Sequence, residues 1–248
     1  MPDLVQLAKH GALNIMAQLD AVGYTASVIE VPTLRQYTHL GDGSKDTDNR
    51  IYDPSLAEDE TVGLRSGTRD DRLAFFQTKS TSNVLNAATA LAAAASVLSD
   101  DDPDKAKFLA WAEKIWNDEP DSHVGTEGGG GWFSSGPADW NLALELFYAT
   151  GKEVYKDRIL ECLDTQLVTS GSGWFGPAFA SSGYKVVKVI DKLGDEAKEK
   201  FEAALTAYAP SIGQPNASNP YGVSDTTGMW GGSGGVVSGA IMASVLHK

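Results

Sequence analysis

WNLALELFYAT at residues 140–150 and GKEVYKDRILECLDTQL at 151–167 decide how the chain is read. The first segment is an apolar helix that starts at Asp139 or a neighbour. Gly151 is its stop, because glycine takes the left-handed conformation that closes a helix without strain. The second segment is the return helix. Helix, short turn, helix is an α-hairpin, and the same unit recurs along the chain.

Working outward, residues 3–20 read as a helix with Leu4, Leu7, Gly11, Ile15 and Leu19 on one apolar face. Residues 21–37 hold YTASVIEVPTLRQY, β-branched and broken by a proline, which predicts a short extended segment. THLGDGSKDTDNRIYDPS and LRSGTRDDR make 38–72 irregular and polar, and a loop of that length is functional or disordered. From about 82, NVLNAATALAAAASVL is an alanine-rich helix suited to close packing. Asp102 reads as the cap of a helix with Pro103 at its first position, and Phe108, Leu109, Ala112, Ile115 and Trp116 share that helix's inner face. Further helices cover 178–193 and 195–208, and VVSGAIMASVLH is the last. Short turns (SDDDPD, ATGKE, KLGDE) alternate with long glycine- and aromatic-bearing loops at 124–136, 170–177 and 210–235. The prediction is an all-α fold, a toroid or solenoid of α-hairpins with functional loops on one rim.

Composition narrows the function. The 248 residues are 42% hydrophobic, enough for one sizeable core in one or two domains. A net charge of −13 argues against nucleic acid and anionic membranes as partners. The acids are dispersed, DDDPD at 100–104 being the densest cluster, and read as a solubility feature. No apolar run is long enough for a transmembrane helix. The opening MPDLVQLAKHGALNIMAQLD lacks the plain apolar stretch and cleavage site of a signal peptide. Cys162, the single cysteine, reads as packed on a helix. His10, His39, His123 and His247 form no paired ligand spacing, so no metal and no cofactor are predicted.

Trp132, Trp174 and Trp230 sit beside glycine in loops, as GWF, GWF and MWGG, and Trp140 follows another such loop. A tryptophan there offers a broad face held at little entropic cost. Sugar rings stack their CH faces on such rings. For any one of the three, plugging a gap between hairpins is an equal reading, since tryptophan is largely buried on average. Three in equivalent loops point to a carbohydrate groove. Trp111 and Trp116 lie on a regular helix and read as core.

In this order the segments resemble the glycoside hydrolase family 9 catalytic module, an (α/α)6 barrel of six helical hairpins. PDLVQLAKHGALNIMAQLD resembles the helix before its first substrate loop, and NAATALAAAASVLSDDDPDKAKFLAWAEKIW its alanine-rich helix, acidic turn and following helix. SGPADWNLALELFYATGKEVYKDRI resembles its ATG-turn stretch, and NPYGVSDTTGMWGGSGGVVSGAIMA its WG segment. The resemblance implies a secreted, monomeric full-length protein that hydrolyses β-1,4-linked glucan or a related polysaccharide with inversion, its catalytic residues lying partly outside this chain. It places substrate subsites at Trp132, Phe133, Trp174 and Trp230, and near Tyr52. In some members a calcium sits at a segment like SGPAD. Ser135, Gly136 and Asp139 match it, but the six to eight oxygens calcium takes are not assembled here. Asp139 therefore reads as a plain helix N-cap.

The family's catalytic aspartate pair, in a DAGDH-like motif, and its catalytic glutamate, in an NE segment, are absent from the sequence. Inversion needs an acid and a base about 6.5–9.5 Å apart. Glu127 and Asp225 flank the aromatic loops but read as solvated acids, and no catalytic residue is assigned. About eight helices are counted where six hairpins take about twelve. Residues 1–248 therefore read as a partial, barrel-like module. Asp46, Asp48, Asn49 and Asp53 form a polar cluster that suits sugar hydroxyls, a cation or plain solvation, and NAS at 216–218 is a glycosylation sequon. Two other readings stand beside the hydrolase: a non-catalytic carbohydrate-binding relative, and a helical scaffold whose loop tryptophans contact protein.

Overall fold

The computed structural model describes residues 2–25, 28–29, 51–53, 55–57, 59–67, 74–75, 79–126, 137–170, 177–212 and 240–245. The fold is mostly helical. In chain order its helices are α1 (Pro2–Val22), α2 (Thr81–Val97), α3 (Lys105–Asp118), α4 (Trp140–Thr150), α5 (Glu153–Gln166), α6 (Ala178–Ser181), α7 (Ile190–Leu193) and α8 (Asp195–Tyr208). Residues 240–245 form a further helical segment, α9.

Helix α2 is the hub, packing against α1, α3 and α4. Its alanines explain this role. Ala88, Ala92 and Ala95 are fully buried beside Leu85 and Leu91, and a methyl side chain lets neighbouring helices come close at no rotamer cost. Helix α4 is apolar nearly all round: Trp140, Leu142, Ala143, Leu144, Leu146 and Phe147 are buried. Such a helix belongs in the interior, and α4 lies against α2, α5 and the 3-10 turn Gly183–Lys188. Gly151 closes α4 at φ +68°, and its N–H donates to the Phe147 carbonyl at 2.9 Å. Helix α5 then returns along α4, with Tyr155, Ile159, Cys162 and Leu163 inward. The predicted inner face of α3 also holds: Phe108, Ala112, Ile115 and Trp116 are buried and Leu109 packs beside them. The turns SDDDPD, ATGKE and KLGDE do join α2 to α3, α4 to α5 and α7 to α8.

Four local expectations are corrected. In α1 the buried positions are Ala12 and Leu19, with Val5, Ile15 and Met16 packed beside them, while Leu4 and Leu7 are exposed. The inner face is thus rotated away from these two leucines. Asp102 does not cap α3, which begins at Lys105. Its carboxylate instead takes the Asp104 N–H and the Lys9 ammonium of α1, a partner remote in sequence. The span 178–193 is not one helix but α6, a 3-10 turn and α7. Gly183 explains the break: its backbone presses on the end of α5, and a Cβ there would overlap the Gln166 carbonyl. Finally, the irregular stretch 38–72 contains strands. β2 (Ile51–Tyr52) pairs in parallel with β4 (Arg65–Ser66), and β3 (Thr61–Val62) pairs with β4 antiparallel. The two-residue loop Gly63–Leu64, with Gly63 at φ +63°, suits a tight hairpin. The extended segment predicted before it is β1 (Val28–Ile29), paired antiparallel with β5 (Ala74–Phe75).

Candidate functional site

Trp132, Phe133, Trp174 and Trp230 lie outside the described residues, as do Glu127, Asp225, Ser135, Gly136, Asp46, Asp48 and Asn49. Tyr52 lies on β2, its backbone opposite Ser66. Asp53, the described member of the polar cluster, closes its own loop. It accepts the Ser55 N–H and hydroxyl and pairs with Arg65. The structure presents the foundations of segments 127–136 and 171–176, the places where the chain leaves and rejoins the helices.

The first foundation is a buried ion pair. The Asp139 side chain is wholly buried at the start of α4. Its Oδ2 accepts from Arg158 Nε at 2.8 Å and its Oδ1 from Arg158 Nη2 at 3.1 Å, a bidentate clasp from α5. Arg158 also donates to the Gly125 carbonyl at 2.8 Å and to Glu161 at 2.8 Å. Burial pulls the Arg158 pKa down, but its hydrogen bonds to Asp139 and Glu161 outweigh that, and the guanidinium is held above its ordinary range. His123 completes the joint. Its Nδ1 lies 2.9 Å from Asp139 Oδ2 and its Nε2 lies 2.9 Å from the Trp116 carbonyl. The ring stacks on Trp116 at 3.8 Å between centroids, and Tyr155 meets Trp116 edge-on at 5.0 Å. Thr165 of α5 donates to the Thr126 carbonyl at 2.9 Å. Residues 123–126 on one side and 139 on the other are thereby fixed to the same helix, α5.

This geometry corrects the reading of Asp139. It stands at the N-cap position of α4, but its side chain caps no backbone N–H. Both oxygens accept from the Arg158 guanidinium. Among the described residues no group of three acidic, histidine or cysteine side chains is arranged to hold a metal.

The second foundation belongs to segment 171–176. Buried Gln166, at the end of α5, accepts the Ser182 hydroxyl at 2.6 Å. The Ser182 carbonyl accepts Trp140 Nε1 at 3.3 Å, and the Phe179 N–H donates to the Val168 carbonyl at 3.0 Å. Trp140, which the sequence places beside a loop, is a core residue tying one foundation to the other. Both segments therefore adjoin one end of the α4–α5 hairpin, the end remote from Gly151. At that end Lys185 donates to Asn141 Oδ1 at 3.0 Å. Cys162 offers no reactive thiol: burial pushes its pKa up to about 12.

The Asp139–Arg158–His123 joint is absent from a local reading of the sequence, yet a signal exists. Tyr155, Arg158, Ile159, Cys162, Leu163 and Gln166 are the buried stripe of α5. An arginine at an inward position of such a stripe demands a buried acceptor. Comparison of the chain with protein-family models, with curated proteins and with solved structures finds no match. Among the described residues no helix is long and apolar enough to cross a membrane.

Proposed function

We propose that the chain binds a β-linked glucan or related polysaccharide on an aromatic surface formed by Trp132, Phe133 and Trp174, with Trp230 and Tyr52 extending it. In this reading the hairpins belong to a toroid of the family 9 glycoside hydrolase type, which acts outside the cell and cleaves with inversion. One observation carries the proposal: the segments bearing Trp132 and Trp174 adjoin the same end of one α-hairpin, each seated on a buried polar joint. A seat of that rigidity suits loops that must present flat rings in fixed positions. A second reading is a relative that keeps the groove without the chemistry.

Electrophoresis through gels containing β-glucan tests the binding. The native chain is retarded, and Trp132→Ala and Trp174→Ala migrate as in a gel without glycan. Equal mobility of the native chain in both gels refutes the proposal. The full gene separates the two readings: an upstream DxGD motif and a downstream catalytic glutamate support the hydrolase, and their absence refutes it.

A further inference from the structure

His123 ends the 3-10 turn Pro120–His123 and meets an acceptor at each ring nitrogen. Its Nε2 lies 2.9 Å from the Trp116 carbonyl, near the end of α3. The helical donor to that carbonyl would be the N–H four residues on, and the residue there is Pro120, which has none. A carbonyl only accepts, so the proton of this bond belongs to Nε2. Nδ1 lies 2.9 Å from Asp139 Oδ2, at the start of α4. Both Asp139 oxygens accept from the Arg158 guanidinium, which marks the group as a carboxylate. A carboxylate also only accepts, so the proton of the second bond belongs to Nδ1. The Ser122 hydroxyl, 3.2 Å from Nδ1, gives its one hydrogen to the Glu119 carbonyl at 2.7 Å.

A neutral imidazole carries one of those two protons, and an imidazolium carries both. The surrounding charges suit the second form. Arg158, whose Nε shares Asp139 Oδ2 with His123, is the opposing cation. It is itself bound to two carboxylates, Asp139 and Glu161, so the cluster is short of one positive charge without His123. Of the other acids, Asp121 lies on the 3-10 turn itself, and Glu119, at the end of α3, pairs with Lys79. On α5, Tyr155 stays a neutral phenol, because burial and the nearby Glu113 push its pKa up, and burial keeps Cys162 a thiol. The imidazole ring stacks on Trp116 at 3.8 Å between centroids and 20° between planes, and an indole face attracts a cation.

We propose that the folded protein holds His123 as an imidazolium, and that the joint beneath segment 127–136 is a pH-sensitive latch. Loss of the proton breaks one of the two bonds whichever tautomer forms. With the proton on Nε2, the Nδ1 lone pair faces the Asp139 carboxylate. With the proton on Nδ1, the Trp116 carbonyl loses this donor. The side chain is 20% exposed, so the proton exchanges with solvent. Because the folded chain holds the proton more firmly than the unfolded one, the latch is complete in acid and loosens as pH rises through neutrality. What loosens is the tie between the end of α3 and the start of α4, immediately before residues 124–126. The latch is a property of the joint and does not depend on what segment 127–136 binds.

The test is nitrogen-15 NMR of the histidine rings at about pH 7.5, where an ordinary histidine is mostly neutral. His123 is expected to show two protonated ring nitrogens in the native chain, its signal assigned by its loss in His123→Gln. Urea denaturation from about pH 6 to about pH 8 gives a second readout. Over that range the folding equilibrium constant of the native chain falls about tenfold more than that of His123→Gln, the worth of one charge-assisted hydrogen bond. If circular dichroism finds His123→Gln unfolded, single variants of His10, His39 and His247 assign the signal by elimination and the NMR readout decides alone. A single protonated nitrogen at His123, or equal falls in the two proteins, overturns the inference.

Discussion

Replacing Asp139 by alanine removes the centre of the joint beneath segment 127–136, and the structure fixes what is lost. Arg158 keeps its bonds to the Gly125 carbonyl and to Glu161 but loses both bonds to its buried counter-ion. Its side chain is 4% exposed, whereas Glu161 is 51% exposed and a weak substitute for a buried carboxylate. His123 loses its acceptor at Nδ1 as well. Breaking a buried ion pair from one side costs about 3–5 kcal/mol, and in a chain of this size each kcal/mol lowers Tm by about 2–4 °C. Asp139→Ala is therefore expected to lower Tm by about 6–20 °C. Arg158→Met leaves the buried carboxylate with His123 but without its guanidinium and carries a similar cost. The double variant leaves no orphaned charge, so its loss is smaller than the sum, with a coupling of at least about 2 kcal/mol. Thermal and urea denaturation of the four proteins, followed by circular dichroism, closes the cycle. Additive losses, or an Asp139→Ala cost below about 1 kcal/mol, refute the claim that this pair holds the foundation.

Two glycines, Gly151 at the turn of the α4–α5 hairpin and Gly183 against the end of α5, separate backbone strain from steric overlap. Gly151→Ala meets no neighbouring atom but must adopt φ +68°, a cost of about 1–2 kcal/mol. Gly183→Ala collides with the Gln166 backbone and is expected to cost more than about 3 kcal/mol; urea midpoints in the opposite order contradict the close approach of the 3-10 turn to α5. Cys162 predicts an alkaline limit to stability. Its thiol ionises near 9.0 when free and near 12 in the folded chain, so above pH 9 the unfolded chain sheds a proton that the native one keeps. Stability falls through that window, and Cys162→Ala flattens the fall in urea midpoints measured from pH 8 to 11; an unchanged slope refutes the buried thiol.

Legibility in the sequence tracks how far apart the deciding residues lie. The α4–α5 hairpin is readable because Gly151 and the apolar run before it are contiguous, and the local rule governing them has no competitor. Asp102 and Asp139 obey the same local rules and were each claimed by a distant cation. Lys9, on α1, pairs with Asp102, which also accepts the Asp104 N–H just before α3. Arg158, 19 residues downstream, holds the Asp139 side chain away from the backbone N–H groups at the start of α4. Charge-assisted bonds outweigh a cap worth about 1 kcal/mol. The α1 face departs from its sequence pattern for a different reason. Its sequence is apolar on more than one side, and the choice falls to whichever side meets α2, where the small Ala12 allows contact that Leu4 and Leu7 do not reach. The strands at 51–66 are only two residues long, too short for alternation to register. At the candidate site the aromatic segments announce themselves by composition, while Arg158, Gln166 and Ser182, which seat them, belong to helices and turns that read as ordinary packing.

Calorimetric titration of cellohexaose into the native chain, Trp132→Ala, Trp174→Ala and the double variant tests the shared aromatic surface most directly. The account predicts saturable binding to the native chain, at least tenfold weaker binding for each single variant with its circular dichroism unchanged, and no measurable heat for the double. Undiminished binding in both single variants contradicts it.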